Sequence, residues 1–278
     1  MSPRAIRVLR EASLVAAEDT RRTRKLFARF DVHTKLLSYF EHNQLQRLND
    51  LLAALESGDV AVVSDAGTPG LNDPGFEVVR AAIARGHHIV PIPGPAAPIA
   101  ALVASGLPTN GFVYLGFLPR KPGSRRALLK EWGSQRLTLV ALEAPRRLKA
   151  SLRDIESVLG QRPLAVAREL TKLHEEIFRG SAEQALAYFQ SAPPRGEVTL
   201  IVRGRPRQGE KWTPDEVLHA VRDRVGQGLP LGRISGEISK VSGWERRTLY
   251  EMAVEEKAHA LGRSRGKKRP AGGSRESG

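Results

Sequence analysis

The chain has 278 residues, no cysteine and a formal net charge of +14 at pH 7. The lack of cysteine excludes disulfides and thiolate metal sites, and no run approaches the roughly 20 apolar residues of a membrane span. With 41% hydrophobic and 27% charged residues, the composition is that of a globular protein, and the cytoplasm is its expected location. A basic surface attracts polyanions, so the charge favours nucleic acid as a partner.

The first part of the chain, residues 1–109, is predicted to be an α/β domain with a parallel sheet, because short apolar strands alternate with helices. The predicted strands are 14–17, 35–38, 60–63 and 88–91, and the predicted helices are 5–11, 20–30, 41–57, 74–85 and 96–105. A turn-rich stretch at residues 106–111 marks the domain boundary.

A second α/β domain is predicted over residues 110–204. Its strands are 112–118, 137–142, 163–167, 175–179 and 197–202, and its helices are 124–133, 145–159 and 181–190. The third and fourth of these strands follow each other without a helix, which predicts a mixed sheet.

A small helical unit is predicted at residues 213–260, after a polar linker at residues 205–212. Its three-helix pattern resembles a helix-turn-helix, in which Arg246 and Arg247 on the last helix face nucleic acid. The alternative is a helical capping or dimerisation domain. Residues 261–278 are basic and rich in glycine and serine, which predicts a disordered tail.

The stretch from Ser64 to Asp73 is the strongest candidate for a ligand site. It follows a short apolar strand and is dense in turn formers and small polar side chains, which leaves backbone N–H groups open to a ligand. In an α/β sheet, ligands bind at the carboxyl ends of strands. An ordinary βα turn is the alternative, and composition alone does not separate the two.

Three further segments can border the same cleft. The turn at residues 91–95 holds three prolines and precedes an Ala-rich helix, whose N-terminus suits a polar ligand or close packing on the sheet. The charged turn at residues 18–22 is either a rim of the cleft or a helix start capped by Asp19 or Thr20. Glu169, Thr171 and Lys172 are candidates for the opposite wall or form a surface ion pair.

Common catalytic motifs are absent from the sequence. It has no Walker loop, no GxGxxG after a strand, no GxSxG and no HExxH. Its seven histidines are scattered, which argues against a catalytic metal. Backbone-rich loops at neighbouring strand ends instead suit an adenosine-containing cofactor that the protein orients and shields from water.

Six ordered blocks resemble one known family. The blocks are residues 16–21 (AAEDTR), 64–69 (SDAGTP), 91–95 (PIPGP), 116–121 (GFLPRK), 167–172 (ARELTK) and 196–202 (GEVTLIV). Their order and spacing are similar to those of the ribosomal RNA small subunit methyltransferase I family, which belongs to the tetrapyrrole methylases. The resemblance covers residues 4–257. It implies two α/β domains with a C-terminal helical unit, and S-adenosylmethionine bound between the two domains.

The resemblance also implies an activity, which is methylation of the ribose 2′-hydroxyl of a cytidine, at position 1402 of 16S rRNA, on the small ribosomal subunit. It further implies a homodimer without membrane association. Matched by position, the cofactor contacts fall on Asp65, Ala66, Gly67, Thr68, Ala96, Ala97 and Leu142. Glu18 and Glu169 become candidates for the catalytic base, and Arg21, Lys121, Lys172, Arg246 and Arg247 become candidates for RNA contacts.

One part of the family pattern is not in this sequence. The family begins with a further strand and a Thr-Pro-Ile-Gly-Asn loop, whereas this sequence begins within the helix that follows them. We expect a start codon assigned too far downstream, and the alternative is an enzyme impaired by a missing strand. The competing functions are a methyltransferase of the same fold acting on a tetrapyrrole or a protein, and an RNA-binding ribosome assembly factor that has lost catalysis.

Overall fold

The computed structural model describes residues 1–191, 195–206, 212 and 214–266. The chain divides into two compact units, Met1–Gly204 and Arg205–Gly278. In these described ranges no helix combines the length and the apolar character needed to cross a membrane. Much of the predicted linker, residues 207–211, and the predicted tail from residue 267 onward lie outside the described residues.

A parallel three-stranded sheet forms the first half of the first unit, as the alternating pattern predicted. Its strands are β1 (Leu14–Ala17), β2 (Leu36–Ser38) and β3 (Val60–Val63), in the order β2-β1-β3. The central strand, β1, is buried throughout, since both of its faces are covered. The helices of this half are α1 (Pro3–Glu11), α2 (Thr20–Phe30), α3 (Gln44–Leu55) and α4 (Phe76–Ala84).

The prediction of a strand at residues 88–91 is wrong, because the backbone there is irregular. Ile89 and Val90 are exposed and have no ladder partner in the described part of the chain. Pro91 and Pro93, which follow, cannot donate to a ladder. An apolar run therefore gives a strand only where a neighbouring strand is available to pair with it.

A five-stranded mixed sheet forms the second half of this unit, as predicted. Its order is β4-β5-β8-β6-β7, with β4 parallel to β5 and the other pairs antiparallel. The strands are β4 (Phe112–Phe117), β5 (Thr138–Glu143), β6 (Leu164–Arg168), β7 (Glu176–Gly180) and β8 (Val198–Val202). The helices α6 (Pro122–Trp132), α7 (Leu148–Leu159) and α8 (Ala182–Ser191) accompany it.

Helix α5 (Ala97–Ala104) connects the two halves. It follows the first sheet in the sequence, but Ala101 and Leu102 are buried against Val140, Ala165 and Ile201 of the second sheet. Its last turn lies at the amino end of β6, because Arg179, paired with Ala165, donates to the carbonyl of Ala104 at 2.5 Å. The first turn of α5 therefore points to the carboxyl ends of β5 and β6.

The second unit contains three helices, as predicted. They are α9 (Pro214–Gly226), α10 (Leu231–Ser242) and α11 (Arg246–Gly266), and α10 ends at Gly243 in the left-handed conformation. Their shared core is formed by Val217, Val221, Ile234, Ile238, Leu249 and Ala253. Helix α11 continues to Gly266, beyond residue 260, where the sequence placed the end of the helical unit.

Candidate active site

The loop after β3 is joined to the end of β1 by reciprocal hydrogen bonds. The backbone N–H of Asp65 donates to Glu18 Oε2 at 3.0 Å, and the N–H of Asp19 donates to Asp65 Oδ1 at 3.2 Å. Arg22 Nη1 lies 3.2 Å from the second oxygen of Asp65. These contacts fix both carboxylates, and they hold the start of the loop against the start of α2.

The predicted cofactor loop exposes a row of backbone donors. No acceptor in the described part of the chain takes the N–H groups of Ala66, Gly67 and Thr68, and all three residues are exposed. Gly67 has a φ of +86°, a conformation that glycine adopts readily, so the row can curve around a ligand. Exposed N–H groups without an acceptor fit the polar atoms of an adenosine-containing cofactor.

The turn before α5 lies against the same loop. Thr68 Oγ1 donates to the carbonyl of Pro95 at 3.2 Å, so the two segments predicted to hold the cofactor are in contact. Ala96 is the N-cap of α5 and provides no side-chain cap, so the N–H of Ala97 is open at the positive end of the helix. Asp65, Ala66, Gly67, Thr68, Ala96 and Ala97 are thus brought to one place.

Leu142 lies near the carboxyl end of β5, at the edge to which the first turn of α5 points. Side chains alternate between the faces of a strand, so Leu142 shares the face of Val140, which packs against α5. Its backbone carbonyl accepts the N–H of Leu118 at 3.1 Å. The side chain is therefore positioned to supply an apolar wall beside the start of α5.

A side-chain contact attaches the loop to the second sheet. Tyr114 Oη on β4 donates to Asn72 Oδ1 at 2.6 Å. The ladder of β4 with β5 is irregular between Tyr114 and Phe117, and Gly116 there has a φ of +63°. A Cβ atom on Gly116 would lie 2.9 Å from Asn72 Nδ2, so only glycine leaves room for the amide. We call Asn72, Tyr114 and Gly116 the loop clamp.

Asp73 has an unusual acid–base character at this edge of the sheet. Burial raises its pKa from 3.8 to about 6, and a hydrogen bond with Ser64 opposes the rise. The neighbouring carboxylates of Glu18, Asp65 and Glu197 raise the pKa further. Because Glu197 directly precedes β8 of the second sheet, acids next to strands of both sheets influence the pKa of Asp73.

Glu169 and Lys172 form the predicted opposite wall. Lys172 Nζ lies 2.9 Å from Glu169 Oε1, and the N–H of Glu197 donates to the same oxygen at 3.3 Å. The hydrogen bond from Lys172 lowers the pKa of Glu169 below its ordinary value. Glu169 has a φ of +48°, in the left-handed region that a non-glycine residue seldom occupies. The ion pair that the sequence left as an alternative is present, at the carboxyl end of β6.

The charged turn at residues 18–22 combines both interpretations made from the sequence. Asp19 caps α2 by accepting the N–H of Arg21 at 2.8 Å, while Glu18 faces the cofactor loop. The side chain of Arg21 bonds Asp19 and lowers the pKa of that carboxyl well below its usual range. The capping role of Asp19 is confirmed, and Glu18 lies against the loop that is predicted to bind the cofactor.

The remaining predicted RNA contacts have other surroundings. Lys121 is exposed at the N-cap of α6, and none of the described contacts joins it to the cofactor loop. Arg246 and Arg247 belong to the second unit. There Arg246 donates to the carbonyl of Gly232 at 3.3 Å, and Arg247 pairs with Glu251 at 3.1 Å on the surface of α11.

Asn72, Asp73 and Tyr114 are the site residues that were not singled out from the sequence. Asn72 and Asp73 fell inside the predicted turn, and the tolerance of asparagine for positive φ was the available signal for Asn72. Tyr114 carried no local signal, since its partner is 42 residues away. In the described part of the chain, no group of three or more His, Cys, Asp or Glu side chains could hold a metal ion.

Comparison with known proteins identifies close relatives. A family model described as tetrapyrrole (corrin/porphyrin) methylases matches residues 1–186. A protein named ribosomal RNA small subunit methyltransferase I from Halalkalibacterium halodurans is 48% identical, with 91% of this chain and 89% of the relative covered. Proteins of the same name from Synechocystis and Escherichia coli O157:H7 are 42% and 40% identical, and each alignment covers at least 90% of both chains.

Solved structures share the fold at lower sequence identity. A uroporphyrin-III-C-methyltransferase from Thermus thermophilus is 20% identical with a TM-score of 0.51, and 72% of this chain and 87% of that chain are covered. A cobalt precorrin-4 methyltransferase is 16% identical with a TM-score of 0.52, covering 73% and 88%. These two likenesses concern the fold alone.

Proposed function

The chain belongs to the tetrapyrrole (corrin/porphyrin) methylase family and, within it, to the ribosomal RNA small subunit methyltransferase I group, and from this premise we propose its activity. It transfers a methyl group from S-adenosylmethionine to the ribose 2′-oxygen of a cytidine in 16S rRNA. The observation that carries the proposal is the 40–48% identity to relatives of that name, along about nine-tenths of the chain. A small-ribosomal-subunit substrate also accounts for the net charge of +14 and for a cytoplasmic location.

The cofactor is held by backbone more than by side chains. The open N–H groups of Ala66, Gly67 and Thr68 bind its polar atoms, and the N–H of Ala97 adds the positive end of α5. Leu142 supplies an apolar contact from the second sheet. Asp65 and Ala96 position these donors, since Asp65 is held by Asp19 and Arg22 and Ala96 starts α5.

When bound, S-adenosylmethionine supplies an electrophilic methyl group to the ribose oxygen. The chain must then orient the hydroxyl and take up its proton. Asp73 is the proton acceptor that the site supports best, because its pKa of about 6 lets the carboxylate form at neutral pH while keeping it basic. Glu18 and Glu169 are each fixed by hydrogen bonds, and the charge of Glu18 helps to raise the pKa of Asp73.

RNA is contacted by cations around the cleft and on the helical unit. Arg21 lies at the start of α2, Lys121 at the start of α6, and Lys172 beside Glu169. Arg246 and Arg247 serve as a second contact region on α11. Phosphate contacts of this kind position a substrate, and they make its binding dependent on salt.

The protein acts as a homodimer in this proposal. Support comes from exposed apolar side chains on two helices of the first unit, Phe76 and Ile83 on α4 and Ile99 and Val103 on α5. Apolar side chains that remain in water on neighbouring turns of a helix are typical of interaction surfaces. Light scattering of the purified protein measures the mass directly, and a monomer at micromolar concentration would contradict this part.

Methyl transfer to ribosomal substrates tests the proposal. The purified protein is incubated with S-adenosylmethionine labelled on the methyl group and with either 30S subunits or free 16S rRNA. The expected result is label in the RNA of at least one substrate. Label only in ribosomal protein, or no label with either substrate while cofactor binding is intact, would contradict the proposed activity.

A further inference from the structure

We propose that the solvent face of α2 is a phosphate-binding surface for the RNA strand that flanks the target nucleotide. The residues that carry this role are Arg24, Lys25 and Arg29, which we call the α2 track. The proposal rests on the proposed function, and it assigns to this helix a substrate contact beyond the residues at the cleft.

The exposed side of α2 has one sign of charge. Its exposed positions are Arg21, Arg22, Arg24, Lys25, Ala28 and Arg29, so every one except Ala28 is basic. The opposite side buries Thr23 and Phe27, which fixes the rotation of the helix. The basic residues are thus held outward by the packing of the helix, and no acidic residue occurs within it.

Other helices do not share this property. Among the α-helices that the structure describes, each of the others that carries a basic residue also carries an acid, as in α3 with Arg47 and Asp50 or α10 with Arg233 and Glu237. Mixed charge of that kind is the ordinary composition of a solvated helix face. A face of uniform sign costs self-repulsion and is expected where a polyanion binds.

The basic residues differ in whether they already have partners. Arg21 is bonded to Asp19 and Arg22 to Asp65, so the turn next to the cleft is partly neutralised. Across the described residues, no acid lies within ion-pair distance of Arg24, Lys25 or Arg29. The charge that remains available for phosphate therefore lies along the second and third turns of the helix.

The position of α2 connects this charge to the cleft. The helix starts directly after Asp19, whose N–H bonds the cofactor-loop residue Asp65. From Arg21 to Arg29 it rises about 12 Å, at roughly 1.5 Å per residue, which is the span of about three nucleotides at roughly 3.4 Å per step. A strand along α2 would therefore deliver the adjoining nucleotide to the carboxyl edge of the first sheet.

The test compares two triple variants with equal loss of charge. The first is Arg24→Gln, Lys25→Gln and Arg29→Gln. The control is Arg85→Gln, Lys130→Gln and Arg136→Gln, which are exposed residues at the ends of α4 and α6 and before β5, at the opposite edge of the sheets. Binding to 30S subunits and to a single-stranded RNA oligonucleotide is measured at several salt concentrations, together with methyl transfer to 30S subunits.

The α2 variant is expected to raise Kd and KM for RNA at least tenfold, with kcat and the Kd for cofactor unchanged. The slope of the logarithm of the RNA-binding constant against the logarithm of the salt concentration should become shallower by about 2. Each phosphate contact to a single strand contributes roughly 0.7 to this slope, and three contacts are lost. Equal effects of both variants would overturn the proposal, as would wild-type protein that does not bind RNA. Wild-type protein that binds RNA with this difference between variants, but does not methylate it, would overturn the proposed function and leave the α2 track standing.

Discussion

At the scale of single residues, the proposed catalysis depends on the protonation of Asp73. Its carboxyl, at the end of the predicted cofactor loop, is partly buried, and the carboxylates of Glu18, Asp65 and Glu197 lie nearby. Negative neighbours and loss of water both destabilise the charged form, so the proton is held up to a pH of about 6. Above that pH Asp73 is a carboxylate that binds a proton more tightly than an ordinary aspartate does, which is the property a general base requires.

Substitution of Asp73 tests this role. Asp73→Asn is expected to lower kcat by about 10²-fold or more with cofactor affinity retained, because general-base catalysis contributes roughly 10²–10⁴-fold. Wild-type kcat/KM should rise with pH and level off above about 6, since the deprotonated form is the active one. The matched control is Asp59→Asn, at an exposed position just before β3. A flat pH profile, or equal activity of the two variants, would remove Asp73 from the mechanism.

The loop clamp predicts a specific intolerance at Gly116. Gly116→Ala adds a Cβ 2.9 Å from Asn72 Nδ2 at a φ of +63°, so it combines backbone strain with displacement of the amide. We expect a loss of about 2–3 kcal/mol in urea unfolding, together with weaker cofactor binding. Gly86→Ala also has positive φ, but it meets nothing within 4 Å, and it should lose only about 1 kcal/mol. Equal losses would show that Asn72 does not constrain Gly116.

At the scale of secondary-structure elements, a buried ion pair fixes the loop that carries Lys121. Arg125 on α6 bonds Asp154 on α7 at 2.5 Å, with side-chain exposures of 3% and 11%. The same guanidinium donates to the carbonyls of Pro119 and Arg120. The pair thus joins two helices and the loop after β4. It holds these three segments in position in addition to neutralising a buried charge.

Removal of one partner should be costly. Asp154→Ala leaves Arg125 buried without its counter-charge and should lower the free energy of unfolding by about 3–5 kcal/mol. The exposed pair of Arg80 and Glu77 provides the control, since Glu77→Ala should cost less than about 1 kcal/mol. Denaturant unfolding of both variants measures the difference. A loss at Asp154 no larger than that at Glu77 would mean that Arg125 finds other partners.

The elements also show which features a sequence can predict. The turn from Ser64 to Asp73 was predictable because its residues are local turn formers next to a strand. The packing of α5 on the second sheet was not, because the sequence APIAALVA is small and apolar on every side and gives no direction. The contact of Asn72 with Tyr114 joins residues 42 apart, and the strand expected at residues 88–91 depends on a partner strand. Local patterns therefore predicted elements, and tertiary contacts determined how they meet.

At the scale of the whole molecule, the net charge and the family of the chain both indicate a nucleic-acid substrate. The net charge of +14 by itself predicted a polyanionic partner. The relatives named ribosomal RNA small subunit methyltransferase I align with nearly the whole chain, from the sheets to the helical unit. Charge alone did not identify the chemistry, since binding modules and enzymes share it. The six ordered blocks did identify it, because their order and spacing resemble those of one methyltransferase family.

The identity of the methylated nucleoside is the decisive test of the proposed methyl transfer to a cytidine ribose. 30S subunits from cells that lack the endogenous enzyme are treated with the protein and cofactor, and the 16S rRNA is digested and analysed by mass spectrometry of its nucleosides. We expect one new nucleoside, 2′-O-methylcytidine, that appears only when cofactor is present. A methyl group on a base, on another nucleoside or on no nucleoside would contradict it.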